Sequence, residues 1–301
     1  MVMDEGRRAL ELIELMQSSP GHQVDETIRS LEMSVWTFEM NFRTLDQTVR
    51  SLEAQTDLWH MPSRDRTELA MYEVVRLLHN VVAAAKTLVD HSRIVSRRLI
   101  ADDDMTQKTY QDRVNRDFVD DHLVQFVEDL RNYSLHKKLP PLGLSYTADD
   151  DRQRFYLPKD GFGNFNWSAS AREFFDAAEP RIDFHAVLSA YRGKVMDFQR
   201  WLKELLRDLH RDSLGELKAY EDEYMLIELR QGVRHWNHQP TDDLGLRVLN
   251  TFMQVLDPAD LRELQTIDDP GERLREAVRR FESATAVPKE LKDQLLALVP
   301  D

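Results

Sequence analysis

The segment RNYSLHKKLPP, Arg131 to Pro141, sets Arg131, Asn132 and His136 within six residues and follows them with two prolines. Each of the three side chains suits work on a phosphate. Histidine accepts or donates a proton near neutral pH. Arginine grips phosphate with a permanently charged, two-pronged fork, and asparagine orients either group while staying neutral. Cleavage of RNA through its own 2′-hydroxyl asks for this set: a proton acceptor, a proton donor, and a cation on the developing charge of the phosphorane. The spacing suggests no metal, and the reaction needs no cofactor.

Helical geometry sorts the three. Asn132 and His136 are four apart and share a face, with Glu128 one turn earlier on the same stripe. Arg131 and His136 are five apart, about 140° round the axis at about 3.6 residues per turn. Two arrangements bring them together. The helix can loosen in its last turn, because Pro140 and Pro141 forbid its continuation; or a twofold dimer can set a second copy of the motif opposite the first. A plainer reading has His136, Lys137 and Lys138 complementing the dipole at a helix C-terminus.

Supporting residues fall on the preceding helix. Asn80, Thr87 and His91, with Arg76 one turn earlier, form a polar line that meets the Asn132/His136 stripe if the two helices pack antiparallel. Asn80 and His91 are therefore candidates for holding the motif, alongside Glu128; a satisfied structural network is the alternative. Arg93, Arg97 and Arg98 with Lys137 and Lys138 are candidates for contacting an RNA backbone, provided the two helix ends lie within a Debye length of ~8–10 Å. Elsewhere the signals are weak. Trp201 sits at core spacing, His235, Trp236 and His238 lack a completing carboxylate, and the Asp runs at 102–104 and 149–151 lack the Gly and Glu of a calcium loop. GFGN fits neither a P-loop nor a dinucleotide fingerprint.

The elements that must position these groups are helical. Only 10 glycines occur in 301 residues, and apolar residues recur at three- and four-residue spacing. The pattern predicts helices over about 3–18, from Asp25 to Leu58, from a Ser63 cap to Ile100, and over about 104–138, the last carrying the motif. Leu31, Val35, Phe38, Phe42, Leu45, Val49 and Leu52 form one buried stripe; Leu69, Val74, Leu77, Leu78, Val81, Val82 and Leu88 form another. Beyond the prolines, Leu142–Thr147 and Gln153–Leu157 alternate as a short hairpin. A capped helix follows at Ser168 or Ser170, then a long one from Asp183 to about Arg230, kinked near Gly215. The expected fold is all-α: an up-and-down bundle of long helices over 1–231 with a small β-hairpin insertion over about 142–157, a linker over 232–243, and a small helical appendage over 244–301.

Composition bounds the function. Hydrophobic residues make up 42% and charged ones 31%, as in a soluble globular protein. The absence of cysteine removes disulfides and thiol chemistry. A formal net charge of −14 counts against a nucleic-acid coat protein, though not against one basic pocket in an acidic body. The N-terminus reads as an amphipathic helix and no apolar run approaches the ~20 residues of a membrane span, so the expected location is cytoplasmic with no membrane partner.

An Arg, a polar residue and a His, with four residues between Arg and His near the end of a bundle helix, resembles the signature of HEPN domains: Arg131-Asn132-Tyr133-Ser134-Leu135-His136. HNVVAAAKTLVDHSR (His79–Arg93) and FQRWLKELL around Trp201 are similar to segments of HEPN-like proteins of bacterial defence loci, and the likeness covers roughly 25–210. The resemblance implies a helical bundle that dimerises, and a metal-independent endoribonuclease of toxin–antitoxin or antiviral defence type. In that reading Arg131, Asn132 and His136 are catalytic, RNA is the transient substrate, and an antitoxin or defence protein is a partner. The family also holds members without nuclease activity. The alternative is a non-catalytic binding or scaffold module in which the same residues stabilise a dimer.

Overall fold

The structure is a computed structural model that describes residues 2–55, 64–100, 103–147, 152–236, 256 and 258–297. It is all-α with one small antiparallel sheet. No helix among the described residues is long and apolar enough to cross a membrane. The chain forms two compact units, Val24–His210 and a second made of Met1–Gln23 with Arg211–Asp301.

In Val24–His210, α2 (Pro20–Glu53) and α3 (Arg64–Leu99) are the long elements. Leu31, Phe38, Phe42, Leu45 and Val49 are buried on α2, as are Val74, Leu77, Leu78, Val81, Val82 and Leu88 on α3. Leu69, expected in that stripe, is instead 66% exposed in the first turns of α3. The motif helix is not one element. It divides into α4 (Asp104–Val114), a π turn (Asn115–Val119) and α5 (His122–His136). The cause is local: the Asp121 carboxylate accepts the Val124 N–H at 3.0 Å, an N-cap that restarts the helix. Asp120 N–H bonds Asn115 O at 3.0 Å, the i→i−5 spacing of a π turn.

After α5 come β1 (Gly143–Thr147) and β2 (Arg152–Pro158), the expected hairpin, with Gly143 opposite Tyr156 and Thr147 opposite Arg152. A further short strand, β3 (Arg181–Ile182), pairs with the end of β2. Gln153 is fully buried and donates through Nε2 to the carbonyls of Leu52, at 2.7 Å, and Gln55, tying β2 to the end of α2. Between the strands lies α6 (Ala169–Ala177), capped by Ser168. With the loop before it, α6 supplies Phe162, Phe165, Trp167, Phe174 and Phe175, which pack on Phe126 and Tyr133 of α5. This aromatic wedge fixes the rotation of α5. With Phe126, Leu130 and Tyr133 held inside, Glu128, Arg131 and Asn132 face the other way.

The long stretch after Asp183 breaks at His210 rather than at Gly215, giving α7 (Phe184–Leu209) and α8 (Arg211–Trp236). His210 leaves helical geometry, at φ −108° and ψ 24°, and its Nε2 lies 2.9 Å from Leu99 O.

In the second unit, α1 (Val2–Ser18) packs Ala9 and Leu12 against Ile227 of α8. Arg8 holds Glu223 with two bonds of 2.7 and 2.8 Å. Helices α9 (Pro258–Gln265), α10 (Pro270–Ala284) and α11 (Lys289–Leu296) enclose a core with Leu229 and Val233 of α8. The expected bundle over 1–231 is thus redrawn, because α1 belongs with the C-terminal helices. The expected linker is helical to Trp236, and 237–243 lies outside the described residues.

Candidate functional site

The motif occupies the last two turns of α5. Arg131 and Asn132 are half-buried and His136 is exposed. Arg131 Nη1 lies 3.4 Å from Asn132 Oδ1, and Asn132 Nδ2 lies 3.4 Å from Asp129 Oδ1, both at the long end for hydrogen bonds. Asp129 accepts the Ser168 N–H at 2.6 Å through its other oxygen, which joins α5 to the cap of α6. Among the described residues no carboxylate pairs with Arg131. Arg76, Arg113, Arg192 and Arg280 do hold carboxylates, while Arg97, Arg172 and Arg273 bond backbone carbonyls instead.

Arg131 and Asn132 wall a cavity of about 160 Å³. Val127 and Glu128 complete the α5 side, Val82, Ala85, Lys86 and Val89 of α3 form the opposite side, and Tyr191 of α7 closes the back. Lys86 Nζ is bonded to Asp90 at 2.7 Å. Tyr191 is 2% exposed; burial, and then the Glu128 charge, push its phenol above its ordinary value, so it remains protonated and a donor. Arg131, Lys86, Asn132 and Tyr191 thus bring donors to one groove, with Glu128 as its one carboxylate.

A second cavity of about 230 Å³ adjoins the first and shares Ala85, Val89 and Glu128 with it. Its α3 residues reach Ser92 and Arg93 while its α5 residues reach back to Gln125. Rising numbers on α3 therefore meet falling numbers on α5, and the two helices are antiparallel, as expected.

The rotation of α3 is not as expected. His91 Nδ1 sits 2.5 Å from Ser34 Oγ of α2, away from the motif. Thr87 is exposed and bonds Ala83 O at 3.2 Å, Arg76 is exposed and paired to Glu73, and Asn80 lies outside the cavity walls. The face that meets α5 is the adjacent one, through Val82, Lys86 and Val89, because one residue along a helix turns the face by about 100°. His79 belongs to that face one turn before Val82, and its Nδ1 is buried with no hydrogen-bond partner among the described residues. By the antiparallel register this turn of α3 runs beside the α5 turn after Asn132. Its i, i+3, i+7 spacing with Val82 and Lys86 was the signal in the sequence.

Of the two arrangements that could bring Arg131 and His136 together, loosening of the last helical turn does not occur. Lys137 N–H bonds Tyr133 O at 2.9 Å, so α5 stays regular through His136, which is not among the cavity walls. The expected merged basic groove does not form within one chain either. Arg93 walls the second cavity near Gln125, whereas Lys137 and Lys138 follow the far end of α5, about 18 Å along the axis, beyond a Debye length of ~8 Å. Arg93 lies 3.5 Å from Asp90, Arg97 bonds Arg93 O at 3.3 Å, and Arg98 is exposed.

Trp201, half-buried, packs on Phe198 and beneath Arg113, the packing role expected of it. Asp103 caps α4; the side chains of His235 and Trp236, and all of His238, lie outside the described residues, as does 149–151. No group of three metal-ligating side chains occurs among the described residues. Comparison with family models, with curated proteins and with solved structures finds no match for this chain.

Proposed function

We propose that this groove grips an RNA phosphate and that the protein is a metal-independent endoribonuclease of the HEPN kind, acting through attack by the substrate's 2′-hydroxyl. The observation that carries the reading is the Arg131 guanidinium, with no carboxylate on it among the described residues, half-buried in a groove to which Lys86, Asn132 and Tyr191 also bring donors and Glu128 the one carboxylate. Such a set suits an oxyanion whose charge grows in the transition state. Arg131 holds the phosphate and Asn132 orients it. His136 lies one turn beyond Asn132 on the same stripe, about 6 Å along the axis, and serves as the general acid or base. Two such groups are needed, and a twofold homodimer supplies the second His136. Leu135 and Leu139, 48% and 53% exposed beside it, are apolar surface for that contact. A cytoplasmic toxin or antiviral-defence role, restrained by a protein partner, belongs to the same reading.

A second reading is favoured by the chain from Asn132 through Asp129 to the Ser168 N–H. In it the motif joins α5 to α6 and builds a dimer in a non-catalytic scaffold. RNA cleavage in EDTA by the wild type and by His136→Ala separates the two, with folding followed by circular dichroism. Loss of a general acid or base costs ~10²–10⁴ in rate. Cleavage that falls by that factor in a folded variant supports the nuclease; a cleavage rate unmoved by the substitution removes His136 from the mechanism.

A further inference from the structure

The two cavities form one groove with different chemistry at each end. Donors crowd the end at Arg131, Asn132 and Tyr191. The other end is walled by Leu88, Val114, Phe118, Val195 and Phe198, with the two phenyl rings edge to face at 4.9 Å. One buried polar atom there is unanswered. Gln199 is 7% exposed, lines this cavity and donates through Nε2 to Ser92 Oγ at 2.8 Å, yet its Oε1 is buried with no partner among the described residues. Such an acceptor calls for a donor. Glu128 stands where the cavities meet, a half-buried carboxylate with no cation paired to it among the described residues.

A ligand that fills the groove must be anionic at one end and flat and largely apolar at the other, with an N–H to offer there. Between the two it must present a hydroxyl to Glu128. We propose that the groove binds one ribonucleotide. Its base lies beside Phe118 and Phe198 with an N–H on Gln199 Oε1, its 2′-hydroxyl donates to Glu128, and its phosphate rests on Arg131 and Asn132. The phosphate end rests on the ribonuclease reading; the base and ribose ends do not. Every RNA base has a π-face and an N–H donor, so the cavity is a general base pocket, and Glu128 is the group that distinguishes RNA from DNA. The π turn Asn115–Val119 edges the pocket through Phe118 and Val119, and such turns are frequent at functional sites.

The full chain is titrated calorimetrically with adenosine 3′-monophosphate, its 2′-deoxy counterpart and inorganic phosphate. The ribonucleotide is expected to bind at least tenfold more tightly than either. Val119→Trp fills the pocket from a position that is 51% exposed, so folding tolerates it; Val114→Phe fills it from within. Each is expected to weaken the ribonucleotide at least tenfold and leave phosphate unchanged, while Arg131→Ala weakens all three ligands. Undiminished ribonucleotide binding by Val119→Trp, or none by the wild type, overturns the base pocket. Equal affinity for the ribo and deoxy forms overturns the role of Glu128. Phosphate binding indifferent to Arg131→Ala overturns the underlying reading instead, so the two failures are distinct.

Discussion

Arg192 commits its guanidinium to Glu39 through two bonds of 2.6 Å, and Arg43 adds a third at 2.7 Å. Glu39 is 7% exposed, and these bonds, Arg192's first, hold its carboxyl below the ordinary value against the opposing effect of burial. A carboxyl depressed in the folded state contributes stability that is present above its unfolded value, about 4.3, and lost as the pH falls through the folded one. Glu39→Gln should therefore lower stability at pH 7 by roughly 2–3 kcal/mol and flatten the acid limb below pH ~4.3, measured by urea unfolding across pH. The figure sits under the ~3–5 kcal/mol of a fully buried pair because the Arg192 side chain keeps 35% exposure. Arg131 is the contrast: a guanidinium of the same bundle with no carboxylate on it among the described residues. That Arg131, Asn132 and His136 share a helix end was legible from spacing alone. Their neighbours were not, since whether Lys86 or Thr87 faces Asn132 depends on how α3 is rotated, which packing decides and helical period cannot.

At the scale of elements, helix α5 is held from behind. Tyr133 stands between Arg131 and His136 in sequence but points into the aromatic wedge, with ring centroids 5.0 Å from Phe162 and 5.1 Å from Phe165. Its hydroxyl is buried with no hydrogen-bond partner among the described residues. Removing a buried, unanswered polar atom while keeping the ring should stabilise by about 1 kcal/mol. Tyr133→Phe is accordingly expected to raise Tm by about 2–4 °C in scanning calorimetry; a fall in Tm would mean that the hydroxyl has a partner. The existence and type of the elements were readable from the three- and four-residue spacing, the hairpin included. The break inside the motif helix was not, because VDDH carries no glycine or proline. Only the capping bond from Asp121 to Val124 N–H, supported by Lys194 at 2.7 Å from Asp121, makes it a start rather than a continuation. This break lets the π turn edge one end of the groove while α5 carries Arg131 at the other.

At the scale of the molecule, the division of the chain was the least legible feature. Ala9 and Leu12 meet Ile227 across more than two hundred residues of sequence, and an amphipathic stripe on α1 states that a partner exists without naming it. The unit containing α1 has its own core, with Leu229, Val233, Leu264, Leu274, Phe281 and Leu295 buried together. None of these side chains belongs to Val24–His210, the unit that carries the groove. Phe281, fully buried among them, gives the means to separate the two. Phe281→Ala should destabilise its own unit by about 3–5 kcal/mol, the loss of a buried ring and the cavity left behind. In the thermogram one transition should move down and the other stay, and the proposed binding of phosphate at Arg131 should persist up to the second. A single transition that shifts as a whole would mean instead that the units unfold together, so that damage remote from the groove would unseat it.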